Sequence, residues 1–276
     1  MKSSIVYITS EDNGVIKTTK QLEKRKYRQK TKKYIIEGIR IIKDAIENKK
    51  SIEYIIFCEE LYKSKDADEI LEILLHKGIK VYQVPTPLFI KLSDTQTPQG
   101  ILGILSMEEY EIEKIFKKSN GLFLVLDRIQ DPGNLGTMIR TADAAGVDAV
   151  FLSKGCVDLY NLKTIRSTMG SIFHMPIIHM EETINILEIL KGQKIHIITT
   201  SLDTSYYYDE IDYTKNVAII IGNEGNGVEK EVIDCSDFVV KIPMIGCAES
   251  LNASVASSIV MYEAVRQRRN QKILKI

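Results

Sequence analysis

Residues 121–145 read GLFLVLDRIQDPGNLGTMIRTADAA, and this stretch decides the fold. Its uncharged run at 121–126 predicts a buried strand, and Asp131-Pro-Gly133 predicts a turn. A helix is predicted from about Asn134 to Ala145, because apolar residues recur there at spacings of three and four. A buried strand that leads directly into such a helix is typical of a mostly parallel α/β sheet covered on both faces.

The same rhythm extends in both directions along the chain. Towards the C-terminus, strands are predicted at 148–152, 194–199, 217–221 and 238–242, and a final helix from near Asn252 to about Arg269. Towards the N-terminus, strands are predicted at 34–37, 53–57, 80–84 and 100–105, with helices at 39–46 and 67–76. The sequence therefore predicts a small α/β domain at 1–106, a charged linker at 107–119 and a second α/β domain at 120–276.

The composition excludes several classes of protein. Of 276 residues, 44% are hydrophobic and 27% are charged, which is typical of a globular chain. The longest apolar runs fall far short of the roughly 20 residues that a bilayer span needs, and the N-terminus has no apolar signal-peptide core. The four cysteines show no CxxC spacing, so neither a zinc site nor a disulfide framework is predicted. We expect a cytoplasmic protein with no membrane partner and no metal.

Charge is concentrated near the N-terminus, although 37 basic and 37 acidic residues balance over the whole chain. Between Lys20 and Lys33 there are eight basic residues and one acid, with Tyr27 and Tyr34 interleaved. Cations that bind phosphates beside aromatic rings that stack on bases favour nucleic acid as the partner. The candidate nucleic-acid-binding residues are Lys24, Arg25, Lys26, Arg28 and Lys30. A solvated basic helix face is the alternative.

Loops that follow strands are the expected ligand sites of a parallel α/β sheet, and the first of interest is residues 126–140. At about 100° per residue, Arg140 projects away from the apolar face of the predicted helix. It is therefore predicted outside the core, either as a solvated arginine or as one that binds a phosphate or a substrate.

Two further loops carry unusual residues. Ile219-Ile-Ile-Gly-Asn-Glu-Gly-Asn-Gly-Val228 places Glu224 among three glycines, which permit close backbone approach to a ligand or simply form a tight turn. Residues 241–256 read KIPMIGCAESLNASVA, in which Ser250 or Asn252 could be a helix cap. Helix capping alone does not readily explain why Glu249, Ser250 and Asn252 occur together.

Other sites of chemistry are poorly supported by the sequence. The chain contains no GxSxG elbow, no GxGxxG fingerprint and no GxxxxGK[ST] P-loop. The four histidines share no motif, and His174 and His179 lack the spacing of zinc ligands on a helix. We interpret them as structural.

In this order and at these separations, the three loops resemble the signature motifs of the SpoU or TrmH family of RNA ribose 2'-O-methyltransferases, in the SPOUT superfamily. The resemblance covers about 155 residues from Gly121 to Ile276, and its most specific part is Ile242-Pro-Met with Glu249-Ser-Leu-Asn252. Residues 1–106 resemble the substrate-binding domain of many members through the basic stretch, Ile36-Glu-Gly38 and Thr97-Pro-Gln-Gly100. That domain is similar to small ribosomal RNA-binding α/β proteins.

The resemblance implies a fold, a cofactor and an assembly that the spacing alone does not give. The C-terminal domain is expected to contain a deep trefoil knot, with the chain near 217–252 tucked through a loop. The methyl donor is expected to be S-adenosylmethionine, held largely by backbone groups. The matching donor-binding positions are Gly222, Asn223, Ile242, Met244 and Leu251. The family also implies a homodimer packed through this domain, with the helix after the first motif and the final helix near the interface.

The resemblance also supplies a set of catalytic residues. These are Arg140, Asn134, Glu224, Ser250 and Asn252. A ribose hydroxyl is a poor nucleophile and needs its proton drawn off while the neighbouring phosphate is held in line. The family assigns this activation to Arg140, but an arginine normally stays protonated, so we expect it to anchor the phosphate. The three Asn and Ser side chains are expected to orient the ribose and the loop, and Glu224 to hold either Arg140 or the loops of the knot.

The expected function is therefore methyl transfer from S-adenosylmethionine to a ribose 2'-hydroxyl of structured RNA, with large-subunit ribosomal RNA favoured over transfer RNA. A non-catalytic RNA-binding or ribosome-assembly factor of the same fold is the alternative from another class. An antibiotic-resistance ribosomal RNA methyltransferase is an alternative within the same class.

Overall fold

The computed structural model describes residues 4–116 and 120–273, and the chain forms two compact units. The first unit comprises the residues up to Glu108 together with Tyr160–Arg166, and the second comprises Glu109–Leu159 and the residues from Ser167 onward. The inclusion of Tyr160–Arg166 in the first unit differs from the predicted domain at 120–276. Its physical reason is packing, because Leu162 contacts the first core and the Tyr160 ring lies 4.5 Å from that of Tyr34.

The first unit is built on a mixed sheet. Its elements are β1 Ile5–Tyr7, α1 Gly14–Gln21, α2 Arg25–Thr31, β2 Lys33–Glu37, α3 Ile39–Glu47, β3 Ile52–Phe57, α4 Ala67–His76, β4 Lys80–Gln83, α5 Thr86–Ile90 and β5 Ile101–Ser106. The strand order is β1-β4-β3-β5-β2. Within residues 4–116, β5 runs in the opposite direction to the other four strands, so it begins at the edge of the sheet where they end.

The second unit is built on a parallel sheet, which confirms the predicted α/β class. Its elements are β6 Leu122–Leu126, α6 Pro132–Ala145, β7 Ala149–Leu152, β8 Ile177–His179, α8 Thr183–Gly192, β9 His196–Thr200, β10 Val217–Ile221, α9 Lys230–Asp234, β11 Phe238–Val240 and α10 Ala253–Ile273, with α7 Leu162–Thr168 belonging in part to each unit. The strand order is β11-β9-β10-β6-β7-β8, and every neighbouring pair in it is parallel among the described residues. Strands β1 and β8 and several short helices were not predicted.

Local sequence explains the strand and helix that open the second unit. Every residue of β6 and of β10 is buried, as expected for central parallel strands covered on both faces. Helix α6 starts at Pro132, which needs no hydrogen-bonded N–H at that position. Asp131 caps it by accepting a 2.8 Å hydrogen bond from Asn134 N. The helix ends at Gly146, which takes the left-handed conformation at φ 72°.

The strand order brings together the loops that form the candidate site. From β6 the chain moves to β7 and β8 on one side, and then returns to form β9, β10 and β11 on the other. The loops after β6 and β10 are therefore neighbours at the carboxyl edge of the sheet, where such folds bind ligands. The trefoil knot implied by the family resemblance stays a prediction.

Helix α10 is held against the rest of the second unit near both of its ends. It packs along α6, where Ser258 Oγ donates to Thr141 Oγ1 at 3.3 Å. Near its other end, the Arg268 guanidinium donates to four backbone carbonyls that precede β6 and β10. These belong to Asn120, Gly121, Tyr213 and Lys215, at 2.7–3.0 Å. Arg268 therefore fixes the helix whose first turn reaches the candidate site.

The predicted linker 107–119 belongs largely to the second unit. It contains a short 3₁₀ helix at Ile112–Lys114, and Ile115 and Phe116 pack against the second core. The Phe116 ring lies 5.4 Å from that of Phe123. Positions 117–119 of the linker, and 1–3 and 274–276 of the predicted domains, lie outside the described residues. No helix in the described part of the chain has the length and hydropathy needed to cross a membrane.

Candidate active site at the carboxyl edge of the second sheet

Three loops meet at this edge: the β6 loop (127–131), the β10 loop (222–229) and the β11 loop (241–252). Glu224 of the β10 loop accepts hydrogen bonds from Gln130 N at 3.0 Å, Asp131 N at 3.1 Å and Asn134 Nδ2 at 3.0 Å. Partial burial raises the pKa of Glu224, but these donors outweigh it and leave the pKa below its ordinary value. The carboxylate is thus an ionised brace between the β6 and β10 loops.

The β11 loop is joined to this brace by two asparagines. Asn252 Nδ2 donates to Asn134 Oδ1 at 3.0 Å. Asn252 Oδ1 accepts from Ser254 N at 2.9 Å and from Ser254 Oγ at 2.7 Å, so it also caps α10. The structure therefore brings Asn134, Glu224 and Asn252, predicted from three separate motifs, into one hydrogen-bonded chain.

A cavity of about 250 Å³ lies beside this chain of hydrogen bonds. All five predicted donor-binding residues line it: Gly222, Asn223, Ile242, Met244 and Leu251. The predicted catalytic residues Glu224 and Ser250 line it as well. Thr200, Ser201 and Leu202 line it as well, although the sequence analysis did not select them. Thr200 ends β9 and the other two residues follow it, so the rule that ligands bind at the carboxyl ends of parallel strands would have found them.

Gly222 shows why a glycine is required in the cavity wall. A Cβ atom at this position would lie 2.4 Å from Gly227 C and 2.4 Å from Val228 N. Neither backbone atom can move without opening the turn, since Asn223 N and Gly227 N each donate to the carbonyl of the other. The structure therefore shows the tight turn that was the alternative for these glycines, and close backbone approach to a ligand stays a prediction.

Arg140 lies apart from the brace. It is six residues after Asn134 on α6, about 9 Å further along the helix axis, and its side chain is exposed. Within residues 4–116 and 120–273 it has neither a hydrogen bond nor an ion pair. Its predicted orientation away from the core is confirmed. Of the two roles expected for Glu224, the structure shows the one in which its carboxylate holds the loops, and it shows no hydrogen bond from Arg140 to that carboxylate.

The predicted RNA-binding residues separate into two groups in the first unit. Lys24, Arg25, Lys26 and Lys30 are exposed on and before α2. Arg28 is only 6% exposed, and its Nη1 donates to Leu22 O at 2.6 Å and Glu23 O at 2.7 Å. Because a buried guanidinium bonded to the backbone stabilises the α1–α2 turn, Arg28 is corrected from an RNA contact to a structural residue.

The comparisons with known proteins agree with this geometry. Residues 121–262 match the SpoU rRNA methylase family, and residues 13–103 match the MRM3-like substrate-binding domain. A 23S rRNA (guanosine(2553)-2'-O)-methyltransferase, RlmP of Bacillus subtilis, is 36% identical over 92% of this chain and 97% of its own length. The chain belongs to the SpoU rRNA methylase family. The predicted class, an RNA 2'-O-methyltransferase dependent on S-adenosylmethionine, is confirmed by this membership.

Solved SpoU structures resemble the whole chain. An AdoMet-bound rRNA methyltransferase from Sinorhizobium meliloti has a TM-score of 0.85 and 30% identity, over 95% of this chain and 98% of that one. The SpoU methyltransferase AviRb from Streptomyces viridochromogenes, in complex with AdoMet, has a TM-score of 0.83 and 26% identity, over 93% and 98%.

The cavity suits the SpoU methyl donor. Ile242, Met244 and Leu251 give the cavity an apolar lining, and Gly222, Gly225 and Gly227 contribute backbone without side chains to it, a combination that fits the apolar and polar parts of S-adenosylmethionine. Thr200 and Ser201 add hydroxyl groups to the lining of the cavity. Among the described residues there is no cluster of three or more His, Cys, Asp or Glu side chains able to hold a metal.

Sequence reasoning missed a second brace of the SpoU site, formed by Asp127 and Arg128. Asp127 is buried, and its Oδ2 accepts from Arg128 Nη2 at 2.9 Å. Arg128 stands in the left-handed region at φ 57°, pairs with Glu229, and its carbonyl accepts from Asn223 Nδ2 at 2.8 Å. It therefore grips the β10 loop near both ends. An Asp-Arg pair at the end of an apolar strand was the available signal.

Proposed function

We propose that this chain methylates a ribose 2'-hydroxyl of large-subunit ribosomal RNA, with the donor bound in the cavity of the second unit. The observation that carries the proposal is the junction of Glu224, Asn134 and Asn252 at the rim of that cavity. The relative named for 23S rRNA spans nearly the whole chain, which favours ribosomal over transfer RNA.

S-adenosylmethionine supplies an electrophilic methyl group when bound. The residues of this chain then have to place the ribose and hold its phosphate. The exposed Arg140 guanidinium anchors the phosphate beside the target ribose, since it stays protonated and forms paired hydrogen bonds with phosphate oxygens. Arg140 thereby keeps the 2'-oxygen in line with the cavity.

The two asparagines and the serine differ in what they can offer the ribose. The Asn134 amide is engaged at both ends, by Glu224 and by Asn252. We therefore assign Asn134 to positioning the loops. Ser250 lines the cavity, and within the described chain its hydroxyl bonds to nothing else. Ser250 and the second amide proton of Asn252 are the groups left to bind the ribose.

The proposal is tested by incubating the purified protein with radiolabelled S-adenosylmethionine and separated ribosomal and transfer RNA from a strain that lacks the gene. Ribose methylation is then mapped by resistance to alkaline cleavage. We expect label at one position in 23S RNA. Donor binding without label on either RNA would contradict the proposed substrate, and absence of donor binding would favour a non-catalytic RNA-binding factor.

Arg140→Ala tests the catalytic assignment in the same assay. We expect turnover to be lost while the donor binds as in the unaltered protein. Arg269→Ala is the matched control, because Arg269 on α10 is another exposed arginine that forms no hydrogen bond or ion pair within the described residues. Substantial turnover by Arg140→Ala would remove Arg140 from the mechanism.

We also propose a homodimer packed through the second unit, on an exposed apolar face of α10. Val255 and Tyr262 are 46% and 50% exposed, and Ile259 lies between them at helical spacing. Ile245 in the β11 loop is 93% exposed. Val255→Glu should give monomers by sedimentation, whereas Tyr62→Glu, an exposed aromatic of the first unit, should not. A monomeric unaltered protein would contradict the assembly.

A cytoplasmic location is proposed on the state of the cysteines. Cys58, Cys156, Cys235 and Cys247 are all free thiols, which is usual in a reducing compartment. Fractionation of cells that express the protein, followed by immunoblotting, should place it with the soluble ribosomal material.

A further inference from the structure

Glu37 organises a loop of the first unit that the donor site does not use. This loop, residues 91–100, connects α5 to β5 and is called the β5 loop below. Ser93 Oγ and Thr95 Oγ1 donate to Glu37 Oε1 at 2.6 and 2.7 Å, and Asp94 N donates to Oε2 at 3.2 Å. One half-buried carboxylate therefore fixes three consecutive residues of the β5 loop.

The other end of the β5 loop is fixed independently. Gln99 Oε1 accepts from Ile39 N at 2.9 Å, which caps α3 in place of the absent side chain of Gly38. Gly38 has φ 115°, a conformation that favours glycine, and a Cβ there would meet Gln99 Oε1 at 3.0 Å. At Gly100 a Cβ would lie 2.4 Å from Leu61 N. The motifs Ile36-Glu-Gly38 and Thr97-Pro-Gln-Gly100 therefore contact each other and together fix this end of the β5 loop.

The tip between these anchors is left open. Gln96 and Thr97 are exposed, and neither forms a hydrogen bond with any residue in the described ranges. The same holds for the Nε2 group of Gln99. An exposed tip of uncharged hydrogen-bonding groups on rigid supports is already ordered for a ligand, so little conformational entropy is lost on binding.

The neighbouring surface indicates which ligand fits. A polar cavity of about 120 Å³ separates the start of the β5 loop, Leu92–Asp94, from the α1–α2 turn at Leu22 and Glu23. Lys24 and Arg25 follow this turn directly and are exposed. Along the chain, one wall of this cavity is therefore followed by cations that bind phosphates, and the other by the tip, whose amide and hydroxyl groups suit base edges and ribose hydroxyls.

We propose that the tip of the β5 loop, Gln96 to Gln99, is a second RNA contact that recognises unpaired nucleotides by hydrogen bonding, and that Glu37 is its positioning residue. The inference rests on the proposed function and adds to it. The basic residues of α2 supply affinity that depends on salt, whereas the β5 loop supplies recognition that does not.

The direct test is the double variant Gln96→Ala, Thr97→Ala, measured by filter binding to deproteinised 23S RNA at several salt concentrations. We expect the Kd to rise about tenfold, since one or two hydrogen bonds are lost. The slope of log K against log salt should stay unchanged. Lys24→Ala, Lys26→Ala should instead flatten that slope by about 1 to 2. A double tip variant that binds as tightly as the unaltered protein would overturn the proposal.

The positioning role is tested with two matched glutamates. Glu53 also accepts hydrogen bonds from a hydroxyl and a second donor, Ser106 Oγ and Lys33 Nζ, both at 2.7 Å, but at the opposite edge of the sheet. Glu37→Ala should raise the RNA Kd by about the same factor as the tip variant, whereas Glu53→Ala should not. Equal effects of the two would show general destabilisation and contradict the role of Glu37. If the unaltered protein binds and methylates no RNA, the proposed function itself fails.

Discussion

Glu37 and Glu224 organise one loop region each, in the first and second units, by the same physical means. Each carboxylate accepts three hydrogen bonds from the chain around it. The donors to Glu37 all belong to one loop, so its effect is to present the tip of that loop. The donors to Glu224 belong to the β6 loop and α6, so it joins two loops and closes one side of a cavity. A carboxylate that accepts three hydrogen bonds therefore serves two purposes: Glu224 joins two loops, and Glu37 presents the tip of one loop.

The largest effect that would sharpen this comparison is expected from Glu224→Ala. Three donors lose their acceptor, and the junction of the β6 and β10 loops loosens beside the cavity. We expect kcat/KM for methyl transfer to fall by about 100-fold, since misplacement of about 1 Å has that effect on reacting groups. Glu231→Ala, an exposed glutamate on α9, is the control in the same assay. A Glu224 variant with normal turnover would break the comparison.

The next effect concerns the helix that carries the third partner of the Glu224 brace. Arg268→Ala removes all four hydrogen bonds to the carbonyls that precede β6 and β10. We expect the free energy of unfolding to fall by about 2 kcal/mol, measured by urea titration. Arg269→Ala should change it by less than about 0.5 kcal/mol. If the two variants were equally stable, α10 would not depend on Arg268.

Two glycines test each side of the comparison separately. Gly222→Ala places a Cβ against the backbone of Gly227 and Val228, so we expect the Kd for S-adenosylmethionine to rise about tenfold. Gly38→Ala strains a residue at φ 115° and pushes on Gln99, so we expect a loss of about 1 kcal/mol in stability and weaker RNA binding. Isothermal titration with the donor should separate them, and donor affinity reduced equally in both would contradict the division.

The smallest effect is a pH dependence. The pKa of Glu224 lies below its ordinary value of 4.5, so its contribution to stability is present above that value and is lost as pH falls through the lower folded pKa. Because the side chain is exposed, we expect only about 0.3 kcal/mol. The stability difference between the unaltered protein and Glu224→Gln should be constant from pH 7 to pH 5 and shrink in more acid solution. A difference that grew in acid would contradict the sign.

Much of the second unit was predictable, because its signals are local. Uniformly apolar strands, Pro132 and a terminal glycine define β6 and α6, and the three motifs identify the cavity residues. Short edge strands such as β1 and β8 have three residues each and too little pattern to recognise. The role of Arg28 was wrong because its charge was visible, whereas the carbonyls that bury it were not. The Glu37 contacts span more than 50 residues of sequence, so only the folded chain shows them.

The most direct test of this division of labour is to measure both affinities on the same preparations of Glu37→Ala and Glu224→Ala. Isothermal titration gives the Kd for S-adenosylmethionine, and filter binding gives the Kd for deproteinised 23S RNA. Glu37→Ala should weaken RNA binding about tenfold and leave donor binding unchanged, whereas Glu224→Ala should weaken donor binding. Loss of donor affinity in Glu37→Ala, or normal donor affinity in Glu224→Ala, would contradict the account.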